Sequence, residues 1–158
     1  VHDVLKRAFP GTQIFEEYVS QELISPRHFL PLRVDFYLPE LKLAVEYQGE
    51  QHYTDLFGGL PSEMLKRDEE KMAILEHRGI TFIEVPFWWD GTDDTLINTL
   101  RKRRPDLTTT PTSTDETIPI SPPPWAQSKL AVSKEGAVFC YTSNLDIVSL
   151  KQFYINAK

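Results

Sequence analysis

The chain is poor in cysteine, in long apolar runs and in positive charge. Its single cysteine, Cys140, rules out an internal disulfide and any zinc site built from several thiolates. Cys140 lies in the apolar run Val138-Phe139-Cys140-Tyr141 and reads as a small buried hydrophobe. No apolar run approaches the length needed to cross a bilayer, so no membrane partner is expected. No charged-then-apolar leader opens the chain, which points to an intracellular location, cytoplasmic or nuclear. The first residue is Val1 rather than Met, so the expectation is a fragment or a processed product. Lysine and arginine number 17 against 23 aspartates and glutamates, a formal net charge of −6. That balance argues against holding nucleic acid by bulk charge. It leaves room for an enzyme, because a site that collects divalent cations needs carboxylates, and a few clustered bases still track a phosphate backbone.

What is present suits a folded domain. The 158 residues are 41% hydrophobic and 25% charged, enough for one core with some extra chain. Composition divides the chain into residues 1–104, a Pro/Thr/Ser-rich stretch 105–128, and residues 129–158, which turn apolar again. The middle stretch, with Pro122-Pro123-Pro124, has little to bury and reads as an extended linker or a strap over the surface. The last stretch suggests a hairpin around Lys134-Glu135-Gly136, a small C-terminal β element. Within the first stretch, Asp3 to Phe9 reads as a short helix stopped by Pro10-Gly11. Gln13 to Val19 fits either a strand or the start of a second helix. Leu32 to Leu38 and Leu41 to Tyr47 alternate with period two about Pro39-Glu40, which predicts an antiparallel hairpin of half-buried strands. Ser62 is placed to cap a helix that runs to His77 or Arg78 and stops at Gly79. Ile80 to Phe87 predicts a strand, and Thr92 caps a last helix that ends in Arg101-Lys102-Arg103-Arg104. The order predicts an α/β fold, a mixed sheet with helices packed on it.

The chemistry is concentrated in the hairpin. Asp35 and Glu46 fall on the face opposite Val34, Phe36, Leu38, Leu43 and Val45, and Gln48 shares that face. Two carboxylates on adjacent strands repel unless a cation lies between them. A hard cation such as Mg²⁺ takes oxygen ligands and keeps some waters, and such an ion suits phosphodiester hydrolysis. An isolated acid on a sheet face is usually only solvated. Here the run Glu46-Tyr47-Gln48-Gly49-Glu50-Gln51-His52 is unusually polar for a strand that begins Leu41 to Val45, and the functional reading is preferred.

The run Val34-Asp35-Phe36-Tyr37-Leu38-Pro39, followed by Val45-Glu46-Tyr47-Gln48-Gly49-Glu50-Gln51-His52-Tyr53, resembles the PD-(D/E)xK nuclease superfamily. Arg67-Asp68-Glu69-Glu70-Lys71 and Gly79-Ile80-Thr81-Phe82-Ile83-Glu84-Val85-Pro86 are similar to its very-short-patch-repair-like and homing-type branch. The resemblance covers roughly residues 1–104. It implies a restriction-endonuclease-like fold and a Mg²⁺-dependent endonuclease acting on DNA, with Mn²⁺ as an alternative metal. It implies Asp35 and Glu46 as metal ligands, with the Tyr47 backbone carbonyl as another, and often a further acid from the first helix, for which Asp3, Glu16 and Glu17 are the candidates. Homodimers that cut both strands are common in the superfamily, so a homodimer is a further expectation. Two positions depart from the pattern. Val34 stands where the motif has proline, a position without chemistry. Gln48 stands at the family's lysine, and an amide orients a water but carries no charge. His52, on the same strand parity, and Lys71, on the following helix, are then the other candidates for handling the attacking water.

Lys66, Arg67, Arg101 and Arg103 are candidate phosphate contacts, weighed against a plainly solvated helix surface. Phe87-Trp88-Trp89 closes a core, with Phe87 favoured inside and one tryptophan left as a surface contact; Trp125 is expected to pin the linker. No base-stacking signature of the common RNA modules is present, which ranks RNA below DNA. The competing class is a catalytically inactive nuclease-fold domain that binds nucleic acid or scaffolds a partner.

Overall fold

The computed structural model describes residues 1–27, 29–53, 61–107 and 109–127; of residues 51 and 61–66 it describes the backbone alone. The C-terminal β element expected over 129–158 lies outside the described residues. The chain divides into two compact units, Val1–Tyr47 with Glu70–Ile118, and Gln48–Glu69 with Pro119–Lys158. No helix among the described residues is long and apolar enough to cross a membrane.

Helix α1 spans His2–Ala8, with Asp3 in its first turn and Lys6 and Arg7 in its last, matching the helix dipole. Strand β1 is Phe15–Ile24, β2 is Pro31–Leu38 and β3 is Leu43–Gln48. Helix α2 is Pro61–His77, β4 is Thr81–Pro86 and α3 is Asp93–Arg103. The segment left open between helix and strand is therefore β1. It is the edge strand of a four-stranded mixed sheet ordered β1-β2-β3-β4. The expected hairpin is present. Phe36 pairs with Val45, Tyr37 with Ala44 and Leu38 with Leu43, across a one-turn 3₁₀ helix at Pro39–Leu41. Helix α2 ends on Gly79 at φ +68°, where the Gly79 N–H returns to Glu76 O and the Ile80 N–H to Leu75 O, each at 2.9 Å. That double closure needs a left-handed residue, which glycine supplies without a Cβ penalty.

In the first unit the sheet is covered on both faces. Leu38, Leu43, Val45, Ile83 and Val85 pack with Val4, Leu5 and Ala8 of α1 and with Leu96, Ile97 and Leu100 of α3. Leu23, Leu32, Val34, Ala44, Ile80 and Phe82 form a second cluster closed by Leu75 of α2. The half-buried hairpin expected from period two is thus more deeply buried than alternation implies. Leu43, Ala44 and Val45 are all fully buried, because α2 covers the face that would otherwise be wet. Trp88, rather than Phe87, is the aromatic most deeply buried after β4, and Phe87 packs edge-on against it.

The Pro/Thr-rich stretch up to Ile118 is a strap on the first unit. Asn98 of α3 donates to the carbonyls of Thr114 at 2.7 Å and Glu116 at 2.9 Å. Asp94 accepts from the Ser113 and Thr114 backbone N–H groups, and Thr99 Oγ1 accepts from Ile118 N–H at 2.9 Å. Leu107 and Ile118 bury their side chains in the first core. An extended segment with few neighbours in its own chain thereby satisfies its backbone through side chains of one helix. In the second unit Trp125, expected to pin this stretch, is 50% exposed.

Candidate functional site

Strand register sets the two acids at opposed positions. One step beyond Phe36 and Val45, the antiparallel pairing sets Asp35 across from Glu46. Asp35, partly exposed, accepts the Tyr47 backbone N–H at 2.8 Å. Glu46 is buried, at 7% exposure. A buried carboxylate needs a partner, and α2 supplies one. Lys71 Nζ donates to Glu46 Oε1 at 2.8 Å and to Oε2 at 2.6 Å. Leu75, one turn further along α2, anchors the helix in the second core and so fixes the height of Lys71.

A cavity of about 390 Å³ opens beside Asp35, lined by Val1, Glu16, Glu17, Phe36, Tyr47 and Trp89. Of the three acids considered as a further ligand, Glu16 and Glu17 line it. Asp3 is 83% exposed at its side chain and is not among the lining residues. Both lining acids have partners: His2 lies 3.3 Å from Glu16, and Arg33 pairs with Glu17. Glu17 sits at φ +50° within β1, a left-handed residue inside a strand. Tyr47 is 44% exposed, and Trp89 donates its Nε1–H to Thr95 Oγ1 at 3.0 Å, which fixes the indole at the cavity wall. The sequence left one tryptophan open as a surface contact, and Trp89 is the one that reaches this cavity.

In the second unit, Gln48 is 1% exposed, and its Oε1 accepts the Tyr53 hydroxyl at 3.0 Å. His52 Nδ1 lies 3.4 Å from Asp68 Oδ2, both partly buried. Sequence reading did not single out Asp68 or Tyr53. The one available signal was an acid at the centre of a mixed-charge helix, and its 7% exposure is not visible from composition.

The candidate phosphate contacts are placed as follows. Arg67 is exposed, and Lys66 lies outside the residues whose side chains are described. The Arg101 guanidinium is committed to the strap: it donates to Thr109 Oγ1 at 2.6 Å, to Thr112 Oγ1 at 2.9 Å and to the Thr110 carbonyl. Arg103 meets Glu76 at 3.1 Å on the surface.

Among the described residues, no three His, Cys, Asp or Glu side chains gather into a cation cage. The oxygen donors that would be available are the carboxylates of Asp35 and Glu46, which continue the hairpin register one step beyond Phe36 and Val45. Few protein oxygens with room for water is the donor chemistry of a hard cation such as Mg²⁺. The Lys71 ammonium supplies positive charge at the buried Glu46 carboxylate.

Comparison with known proteins adds one relative. No family model matches the chain, and no solved structure matches it. The chain is 37% identical over 79 residues to an uncharacterized protein, 094L, of Frog virus 3 (isolate Goorha). The match covers 46% of this chain and 51% of that protein, so the chain spans about half the length of its viral relative.

Proposed function

We propose that the chain is a Mg²⁺-dependent endonuclease acting on DNA, with the restriction-endonuclease-like fold of the PD-(D/E)xK superfamily. The observation that carries this reading is the trio Asp35, Glu46 and Lys71. Two acids occupy opposed positions in the register of antiparallel strands, and a lysine from the next helix sits 2.6 Å from the buried one. The trio also accounts for the Gln48 departure. The superfamily's cation is missing at residue 48, and Lys71 brings an ammonium to the neighbouring carboxylate from α2.

A bound Mg²⁺ would supply a more acidic water and neutralise charge on the phosphate. The chain's own residues supply position. The Tyr47 N–H holds the Asp35 carboxylate in one orientation. Lys71 offers N–H donors beside Glu46, where a phosphate oxygen gains a charge-assisted hydrogen bond. Trp89 and Tyr47 present aromatic surface at the cavity where a sugar or base lies. Water attacks phosphorus in line, the bond to the 3′ oxygen breaks, and 5′-phosphate and 3′-hydroxyl ends result.

The test is cleavage of a panel of duplex, nicked, branched and single-stranded DNA in Mg²⁺ and Mn²⁺. Asp35→Ala and Glu46→Ala are expected to abolish cutting while the thermal unfolding transition survives. Either variant cutting at the wild-type rate, with contaminating nuclease excluded, sinks the proposal. The second reading, an inactive domain that binds nucleic acid or scaffolds a partner, draws on Gln48 and on the net charge of −6. It expects equal DNA binding in EDTA and Mg²⁺, and no cutting.

A further inference from the structure

A bulge in β1 borders a cavity that no part of the carboxylate site uses. β1 takes five steps from Val19 to Ile24 while β2 takes two, from Arg33 to Pro31, so β1 leaves the ladder there. The bulge closes on itself: Ser20 Oγ accepts the Leu23 N–H at 3.0 Å and the Glu22 N–H at 3.3 Å. Bulges re-aim side chains and are over-represented beside functional sites. The cavity holds about 240 Å³, with apolar walls from Leu23, Val34 and Leu75. Its polar lining is Tyr18, Ser20, Glu22, Tyr37, Lys42 and Arg78. It shares no lining residue with the cavity beside Asp35.

That polar lining is largely unspent. Ser20 is 4% exposed, yet among the described residues nothing accepts its hydroxyl proton. Among the same residues, the phenol oxygens of Tyr18 and Tyr37, the Lys42 ammonium, the Arg78 guanidinium and the Glu22 carboxylate have no hydrogen-bond or ion-pair partner. A buried hydroxyl without an acceptor carries a desolvation cost, and a ligand that accepts from it removes that cost. The Tyr18 and Tyr37 rings lie 4.7 Å apart and 30° from parallel, so they form one aromatic wall. Burial pushes the Tyr37 phenol above its ordinary value, and Tyr18 and Glu22 add to the shift, so the hydroxyl is a donor at neutral pH.

We infer that this cavity binds a free nucleoside monophosphate whose single-ring base carries an exocyclic amine, the chemistry of cytidine monophosphate. Charge selects the phosphate. Two cations face one acid in the lining, so a ligand with net negative charge is favoured over a neutral zwitterion such as an amino acid. A phosphate monoester carries about −1.5 to −2 at neutral pH and accepts charge-assisted hydrogen bonds from Lys42 and Arg78. The aromatic wall selects a planar ring, because bases stack on tyrosine. The acid selects the amine. Lys42 follows the 3₁₀ turn of the hairpin and Arg78 follows α2, whereas Glu22 belongs to the β1 bulge, so the acceptor and the cations come from different walls. A carboxylate accepts from the exocyclic amine of cytosine, and the carbonyl of uracil offers it no donor. Size selects a single ring, since 240 Å³ falls below the roughly 300 Å³ at which pockets begin to take drug-sized ligands.

Isothermal titration of the whole chain with cytidine monophosphate tests the site, with EDTA present so that no metal takes part. One saturable site is expected, and uridine monophosphate should bind about tenfold more weakly because it lacks the amine. Arg78→Gln should weaken cytidine monophosphate by about tenfold, the loss of a charge-assisted hydrogen bond. Tyr37→Leu should weaken it by about tenfold through lost stacking. Glu22→Gln should bring the two nucleotides within about twofold of each other. Glu22 and Arg78 are exposed, so both of these variants are expected to melt with wild type. No binding of cytidine monophosphate by wild type overturns the site. So does equal affinity for inorganic phosphate, which makes it an anion patch that reads no base. Tighter binding of phenylalanine than of the nucleotide makes it an amino-acid site and overturns it as well. A 5′-phosphorylated oligocytidylate that binds through Arg78 while the free nucleotide does not makes this surface a nucleic-acid contact, again against the proposal. None of these readouts depends on DNA cleavage.

Discussion

Replacing Lys71 by methionine removes the ammonium and keeps most of the stem. Glu46 is then a buried carboxylate without its lysine. The side chains of Lys71 and Glu46 are 18% and 9% exposed, so solvent does not screen this pair as it screens a surface one. Removing one member of a buried pair costs about 3 kcal/mol, the low end of the usual range because the lysine keeps some water contact. For a chain of this size each kcal/mol moves the midpoint by about 3 °C, so Lys71→Met should melt roughly 9 °C below wild type. The double variant Glu46→Gln/Lys71→Met should recover most of that loss, because neither charge is then left alone. Thermal unfolding followed by circular dichroism reads both. Added Mg²⁺ should stabilise Lys71→Met more than wild type, since the metal replaces the missing positive charge at Glu46. A Lys71→Met variant that melts within about 1 °C of wild type, or a double variant that melts lower still, would refute the claim that a buried cation partner is built into this site.

Two further outcomes concern the strap. Asn98, 7% exposed, holds two strap carbonyls, and Asn98→Ala leaves both without their donor at a cost of about 2 kcal/mol. Limited proteolysis between residues 105 and 118 should become faster than in wild type, and an unchanged cleavage rate there would count against the strap. Acid should act on the same element. The Ser113 hydroxyl holds the Asp94 carboxyl below its ordinary value, and the Arg104 guanidinium does the same for Asp106. Both folded-state values are depressed, so the stabilisation is present above the ordinary carboxylate range and is lost as pH falls through the lowered values, below about pH 4. Urea titrations at a series of pH values should show a shallower acid limb for Asp94→Asn than for wild type.

Much of the fold follows from sequence signals that survive packing. Pro10-Gly11, Gly79 and Pro86 mark ends that the structure keeps, and the hairpin follows from alternation on both sides of Pro39. β1 was ambiguous for a physical reason. As an edge strand with a left-handed residue at Glu17 and a register shift between Val19 and Ile24, it buries only Ser20 and Leu23, so it shows neither a helical nor a two-residue rhythm. Thr92 occupies the N-cap position of α3, but its hydroxyl bonds to Asp90 rather than to the helix end. At the candidate site, the opposed positions of Asp35 and Glu46 were legible because hairpin register depends on local sequence. The Glu46–Lys71 contact joins residues 25 apart through the docking of α2, which no local pattern encodes. Arg101 was equally opaque: a basic helix end reads as solvated or phosphate-binding until the strap that occupies it is folded back. The bond from Ser25, at the end of β1, to Glu70, 45 residues away, is of the same kind.

The central claim is that Asp35 and Glu46 together hold a hard divalent cation. Titration of Mn²⁺ followed by electron paramagnetic resonance tests it without any substrate. The account predicts one saturable site in wild type, weakened by at least about tenfold, or about 1.4 kcal/mol, in Asp35→Asn and again in Glu46→Gln. Wild-type protein that leaves the free Mn²⁺ signal unchanged, or variants that bind as tightly as wild type, would contradict it.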